Sequence, residues 1–302
     1  MLFNKYFYCL VFLFTLIGCS SDSKLDSDPI LIPESSFTST FNIAINGVDT
    51  KSNAQVTRVE NMFVLSASKI ESLSFDKDGH FGNLTINLNT GKPTLTSLFY
   101  SFSNFSSNYI NFHLISVDEV HKRVKGTLSG FVYHDPFNLN SETKFINLSF
   151  DYEYIEIIPV VKNLKNHAKI NGDVWDSSNK FVTKDINNNA DNITQHDVSD
   201  DEYKIMVNYN LRSISLGTYN FTADQITNNV KLAKYDLSTE TYIIYDCFGT
   251  MNITQKESLS TTNSIGPFIL SGIYNFTAVN QANNSDVVQV TDGSFKLVYT
   301  YF

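Results

Sequence analysis

Ile146-Asn147-Leu148-Ser149-Phe150-Asp151-Tyr152-Glu153-Tyr154 alternates without a break between apolar or aromatic side chains and polar ones. Successive side chains of a strand point to opposite faces, so a period of two predicts a strand with one face in a core and one in water. The same pattern runs through Leu84-Thr85-Ile86-Asn87-Leu88-Asn89, and sets Phe295, Leu297, Tyr299 and Tyr301 against Lys296 and Thr300. Turn chemistry separates such runs at Asn46-Gly47, Asp78-Gly79, Asn89-Thr90-Gly91, Asn171-Gly172 and Asp292-Gly293. Asp224 to Lys234 comes nearest to helical spacing and does not sustain it. The chain reads as all-β.

Composition agrees. The 302 residues include 24 Phe and 16 Tyr, which suit pleated, half-buried surfaces. The formal net charge is −9. Phosphate binding needs clustered Lys and Arg, so a nucleic-acid partner is not expected.

The two halves echo one another. Ile43-Ala44-Ile45-Asn46-Gly47 matches Ala168-Lys169-Ile170-Asn171-Gly172, and Leu128-Ser129-Gly130-Phe131 matches Leu270-Ser271-Gly272-Ile273. Each half ends in a long aromatic strand, Lys144 to Ile157 and Ser294 to Phe302. This predicts two tandem antiparallel β-sandwich domains, 37–158 and 167–302, joined by a linker at 159–166 where Pro159 stops a strand. Barrel-like domains are the alternative. The second half is longer, and polar Thr183 to Asp200 is expected to be the insertion, an exposed loop without strands.

At the other end of the chain, Lys5 precedes an apolar run from Phe7 to Ile17, followed by small Gly18 and then Cys19. The run falls short of the roughly 20 apolar residues that span a bilayer, and its layout is that of a secretory signal. Leu16-Ile17-Gly18-Cys19 resembles the lipobox of bacterial lipoproteins. That resemblance implies a signal peptide at 1–18 and lipid on the thiol of Cys19. Membrane contact would then run through the N-terminal lipid, as in an outer-membrane lipoprotein facing the cell surface or the periplasm. Residues 19–36, polar with Pro29 and Pro33, read as a flexible tether. Ser20-Ser21-Asp22-Ser23 loosely resembles the Ser- and acid-rich segment after the lipid cysteine in surface lipoproteins of Bacteroidota. Loss of Cys9 with the signal and of Cys19 to lipid leaves Cys247 alone, so no intramolecular disulfide is expected.

The second half carries Ile170-Asn171-Gly172-Asp173-Val174-Trp175, Gly217-Thr218-Tyr219, Ser271-Gly272-Ile273-Tyr274-Asn275-Phe276-Thr277-Ala278 and Val290-Thr291-Asp292-Gly293-Ser294-Phe295. With these motifs it resembles a family of uncharacterised domains in Bacteroidota lipoproteins. The resemblance implies an exported β-sandwich and no known activity. The first half departs from it, with Thr50 and Lys51 near the place of the Trp and no Gly-Thr-Tyr.

Few residues point to chemistry. The six histidines are scattered, none with a two-ligand zinc spacing. Asp185, Asn187, Asn189 and Asp191 place oxygen ligands at alternate positions, like the start of a Ca²⁺ loop, but Ala190 stands where the turn needs glycine. Trp175, Phe99 and Tyr100 are candidate platforms for stacking on sugar rings. Cys247 shares its phase with Ile243, Tyr245, Met251 and Ile253 and reads as a core thiol. No carboxylate pair stands out, and no cofactor is implied. The expected function is non-catalytic binding of a glycan or an envelope protein. The alternatives are a structural or adhesion subunit of a surface complex and, less favoured, a glycan hydrolase with two carboxylates.

Because only the apolar run and Cys19 can hold a membrane in this reading, Cys19→Ala should abolish acylation and cleavage before residue 19. Acyl labelling with mass spectrometry of the N-terminal peptide measures this, and Cys247→Ala should leave the lipid in place.

Overall fold

The structure is a computed structural model that describes residues 37–51, 53–89, 92–185, 189–259 and 267–299. Cys19, the signal, the tether and Asn187 lie outside the described residues. Ser39–Phe302 forms one compact unit. Its described residues fold into strands joined by turns, with a single 3₁₀ turn at Ser106–Asn108.

The first half contains β1 (Thr40–Ile45), β2 (Val48–Lys51), β3 (Ala54–Val59), β4 (Met62–Ala67), β5 (Ile70–Asp76), β6 (Phe81–Asn87), β7 (Leu98–Tyr100), β8 (Ile110–Asp118), β9 (Arg123–Tyr133) and β10 (Thr143–Ile157). They make one sheet in the order β2-β1-β10-β3-β4-β5-β6-β7-β9-β8. Because β9 also pairs with β10, the path from β10 through β3 to β7 and β9 returns to β10, and the sheet closes on itself as a barrel does. The β10–β3 pairing is parallel, whereas the other pairings in the sheet are antiparallel. Inside lie Phe63, Phe75, Phe81, Phe99 and Phe150. Each contributes about 2–3 kcal/mol by leaving water.

The second half contains β11 (Asn166–Ile170), β12 (Asp173–Asp176), β13 (Asn179–Asp185), β14 (Asn189–Val198), β15 (Tyr203–Asn210), β16 (Gly217–Phe221), β17 (Asn229–Asp236), β18 (Thr241–Ile244), β19 (Asp246–Ser258), β20 (Phe268–Asn280) and β21 (Asn283–Tyr299). A six-stranded sheet, β12-β11-β21-β20-β19-β16, and a five-stranded sheet, β13-β14-β15-β17-β18, share one core. Tyr209, Leu232, Met251, Leu270 and Tyr274 fill it.

The sequence echoes correspond to echoes in connectivity. The β1–β2 and β11–β12 hairpins turn on Asn46-Gly47 and Asn171-Gly172, with φ of 49° and 78° in one and 52° and 95° in the other. That is the double positive φ an Asn-Gly hairpin turn needs. Each turn clasps the last strand of its half. Asn46 exchanges hydrogen bonds with the Phe145 backbone, through its own N–H (2.8 Å) and its Oδ1 (2.9 Å), and Asn171 does so with Gln289 at the same distances. At the second echo, a Cβ on Gly130 would fall 2.5 Å from Tyr109 O, and one on Gly272 would fall 2.8 Å from the Phe295 ring.

The halves also touch. The Ser107 N–H donates to Asp200 O at 2.9 Å, and Phe102 meets Tyr235 edge-on at 6.1 Å. Residues 158–165 carry no strand, but Asn163 N–H is held by both Glu60 carboxylate oxygens at 2.8 and 2.9 Å.

Two expectations are corrected. Thr183 to Asp200 is not a strandless loop, since β14 lies within the five-stranded sheet with Ile193 and Val198 buried. Hydropathy hides this strand because its core-facing phase continues from Ile193 into Gln195 and Asp197, while its Asn and Thr side chains bond across the ladder. Thr194 donates to Asn208 at 2.7 Å, and Asn210 to Asn192 at 2.8 Å. Deleting the stretch would therefore remove an inner strand. Asp292-Gly293 is a bulge inside β21 rather than a turn, with the Asp292 N–H on Asn275 Oδ1 at 2.9 Å. Asp224 to Lys234, nearest to helical spacing in sequence, is a loop to residue 228 and then the start of β17.

Gly130→Ala and Gly272→Ala should each lower stability by about 1–3 kcal/mol, the cost of overpacking a close backbone approach. Urea unfolding followed by circular dichroism measures it. Gly47→Ala, with nothing within 4 Å of its Cβ, meets only the positive-φ strain.

Candidate functional site

Alternation along β9 and β10 leaves one face of the β1-β10-β9-β8 part of the first sheet in solvent. Phe131 and Phe145 are directly opposite in the β9–β10 ladder and are 48% and 40% exposed. Their rings meet edge to face, with centroids 5.3 Å apart at 68°. Most phenylalanines of the described residues are buried; Phe137 and Phe248 are exposed as well, but only Phe131 and Phe145 stand opposite each other in a ladder. Beside them is an open depression of about 350 Å³, lined among others by Asn108, Tyr109, Asn111 and Ser129.

Below the aromatic pair the register lays out rows rich in carboxamides and hydroxyls. Ala44, Asn147, Ser129 and Asn111 form one row, and Asn42, Ser149, Thr127 and His113 form the next. Asn42 Nδ2 approaches Ser149 Oγ at 3.4 Å. Carboxamides and hydroxyls both donate and accept. The charged rows follow, with Lys125 and Asp151 paired at 3.2 Å and Arg123 and Glu153 at 3.5 Å. Asp151 and Glu153 on this face are thus in ion pairs, while Asp49, opposite Ala44 on β2, continues the first row at its outer end.

The residues singled out from sequence lie elsewhere. Trp175 is 3% exposed, in the core of the second half, with Nε1–H donating to Ser199 Oγ at 2.9 Å. Phe99 is 1% exposed inside the first sheet. Neither ring has a face open to a sugar, which overturns both as platforms. Tyr100 is half-buried on β7, opposite Tyr133. Of the Ca²⁺ candidates, Asp185 and Asn189 are a β13–β14 ladder pair whose side chains lie outside the described residues, as does all of Asn187. Asp191 pairs with Arg212 at 2.7 Å. Among the described residues no group of three or more His, Cys, Asp or Glu is placed to hold a metal ion. Cys247 is buried, its Sγ accepting the Leu232 N–H at 3.3 Å, and burial pushes the thiol up to about 11. Sequence reading missed Phe131 and Phe145 because neither residue differs in type from the many core phenylalanines. Only their phase, opposite to Ile146, Leu148 and Phe150, carried the signal.

Three histidines instead pair with aspartates: His80 with Asp76, His121 with Asp118 and His167 with Asp176, each at 2.8 Å. The first pair stands near Asp200 of the other half. The hydrogen bond to Asp76 lifts His80 to about 9, and the Asp200 charge adds to the rise. Burial pushes Asp76 up, but the hydrogen bonds from His80 and from the Asp78 N–H outweigh it and hold the carboxyl below its ordinary value.

Comparison of the chain with protein families, with curated proteins and with solved structures finds no match in any of the three.

The His80 pair makes stability depend on pH. The histidine's folded pKa exceeds its ordinary 6.5, so its contribution is complete below that value and is lost as pH rises toward about 9. The loss of stability in His80→Gln should therefore be full near about pH 6 and shrink through the alkaline range. It should stay within the ~1 kcal/mol of a solvent-exposed pair. Urea midpoints of both proteins across pH check this.

Proposed function

We propose that this chain is an exported, lipid-anchored envelope protein whose folded unit is a non-catalytic module that binds a neutral glycan. The observation that carries the reading is the solvent-facing Phe131–Phe145 pair beside a neutral carboxamide and hydroxyl ladder. A sugar ring offers apolar C–H faces and a rim of hydroxyls, so it is matched by an aromatic surface next to groups that donate and accept. Asn111, Ser129 and Asn147 would meet hydroxyls, and the depression at Tyr109 would take the end of the chain. The nearest charge in this row is the acidic Asp49 at its outer end on β2, which favours a neutral ligand over an acidic one. The lipid on Cys19 and the 19–36 tether would hold this face away from the membrane. A hydrolase is less supported, because Asp151 and Glu153 are engaged by Lys125 and Arg123.

A second reading, a structural or adhesion subunit, is favoured by β8. It ends the ten-stranded sheet, with Ile115 46% exposed at a register shift, and an outer strand edge is where another chain can add a strand.

Screening the purified full chain against neutral glycans and then titrating by calorimetry tests the first reading. Phe131→Ala and Phe145→Ala should each weaken binding about tenfold, ~1.4 kcal/mol, and added salt should change affinity little. Trp175→Phe should affect stability rather than affinity. If no glycan binds, or both alanine variants bind as the parent does, the proposal fails and the β8 edge becomes the surface to test.

A further inference from the structure

The outward phase of β10 changes character along its length. It begins with Phe145, Asn147 and Ser149, passes the ion-paired Asp151 and Glu153, and ends in Ile155 and Ile157, 58% and 50% exposed. The parallel strand β3 holds these last residues, with Ile155 opposite Thr57 and Ile157 opposite Val59. Ile158 and Val160 continue the run at 82% and 90% exposed. The β8–β9 turn stands beside it. Lys122 O accepts the Tyr154 N–H at 2.7 Å, Lys122 Nζ pairs with Glu156 at 3.1 Å, and Glu119 pairs with Arg58. Between these anchors Val120 is left 84% exposed. Five aliphatic side chains are thus in water at one end of the first half, and an apolar patch rimmed by polar groups marks an interaction surface.

The chain enters the folded unit at this same end. β1 runs antiparallel to β10 with Thr40 opposite Asp151, so it begins on the side of Glu153 and Ile155. The aromatic pair lies at the other end, since the strand from Phe145 to Ile155 covers about 33 Å. Residues 19–36 span at most about 60 Å even fully extended, so a lipid on Cys19 leashes the Ile155 end of the unit to the bilayer. Charges around the patch mix in sign, with Glu119, Lys122, Glu153 and Glu156 among them, and a strongly charged partner would meet no continuous field. A neutral bilayer interface needs none. It takes up aliphatic side chains at the headgroup and acyl boundary and leaves flanking charges in water.

Building on the lipid-anchored reading above, we propose that Ile155, Ile157, Ile158, Val160 and Val120 rest in the interface of the bilayer that holds the lipid, and that this contact orients the folded unit. The lipid supplies the attachment. Five aliphatic side chains at a strand end and a turn make a shallow contact, far from a spanning segment. They engage because the anchor keeps them at the surface at high effective concentration. With this end against the membrane, Phe131 and Phe145 lie at the far end of β9 and β10, where a glycan outside the bilayer can reach them.

The test places the lipidated full chain in phosphatidylcholine vesicles whose acyl chains are dibrominated, which quenches tryptophan at the acyl boundary. Trp175, the single tryptophan of the chain, is 3% exposed and gives a constant background. Ile158→Trp reports on the patch. Leu95→Trp reports on the opposite end, where Leu95 is 88% exposed and its carbonyl meets His134, just past β9, at 3.1 Å. Brominated lipid should quench the added emission in Ile158→Trp and leave it unchanged in Leu95→Trp. Adding Ile155→Asp, Ile157→Asp and Val160→Asp to Ile158→Trp should remove the quenching, with circular dichroism verifying the fold. Equal quenching at both positions, quenching at neither, or quenching that survives the aspartates would overturn the proposal. So would a blue shift in Ile158→Trp that grows with protein concentration without quenching, which would give the patch to a second copy of the chain. If the aspartate variant does not fold, the two tryptophan variants decide. Mass spectrometry of the N-terminal peptide reads the anchor separately. Should it carry no lipid, the anchor reading fails by itself, and quenching of the unanchored Ile158→Trp chain at rising lipid concentration decides the patch, its absence overturning it.

Discussion

Each half of this protein depends on its last strand. β10 has three partners: β1 and β3 on one side, met in succession along its length, and β9 on the other. β21 is held between β11 and β20. A strand paired on both sides is inaccessible along its backbone, so its register must be set correctly once. The Asn-Gly turns contribute to that. Asn46 and Asn171 each form two hydrogen bonds to one residue of the closing strand, which aligns the first hairpin of a half with its final strand. These contacts span 99 and 118 residues of sequence. Topologies built on such distant pairings fold slowly compared with local ones.

The proposed binding face follows from the same strand. With Ile146, Leu148 and Phe150 committed to the core, Phe145, Asn147 and Ser149 must face outward. The amides and hydroxyls of neighbouring strands then form rows at the spacing of the ladder, on a backbone that cannot shift without breaking the closed sheet. A rigid scaffold of this kind lowers the ordering cost of binding.

The two halves solve burial differently. In the first half Phe63 stacks on Phe75 at 5.2 Å, and Arg58 is the one buried charge among its described residues, its guanidinium donating to the Tyr154 hydroxyl at 3.0 Å. The second admits Asn166, Gln195, Asp197 and Asn229 among its buried residues. Each of these is hydrogen-bonded, as buried polar groups must be to avoid a desolvation penalty. A polar network in low dielectric specifies geometry more sharply than apolar packing does.

Period-two alternation, Asn-Gly turns and paired echoes were enough to determine from sequence that the chain is all-β, where several hairpins turn, and which residues of β6, β10 and β21 face a core. These are local properties, fixed by the pleat and by which residues tolerate positive φ. The strand β14 was hidden because its inward phase carries Gln195 and Asp197, and Asp197 is held by Asn166 from another strand. Trp175 and Phe99 looked like platforms, and Phe131 and Phe145 like core, because a ring's chemistry is the same on either face of a sheet. Which face is covered depends on the strands that close over it. Closure of the first sheet, the pairing of the two sheets in the second half, and the meeting of Asn166, Asp197 and Tyr274 were decided only by tertiary structure, since they join residues that no short-range pattern relates.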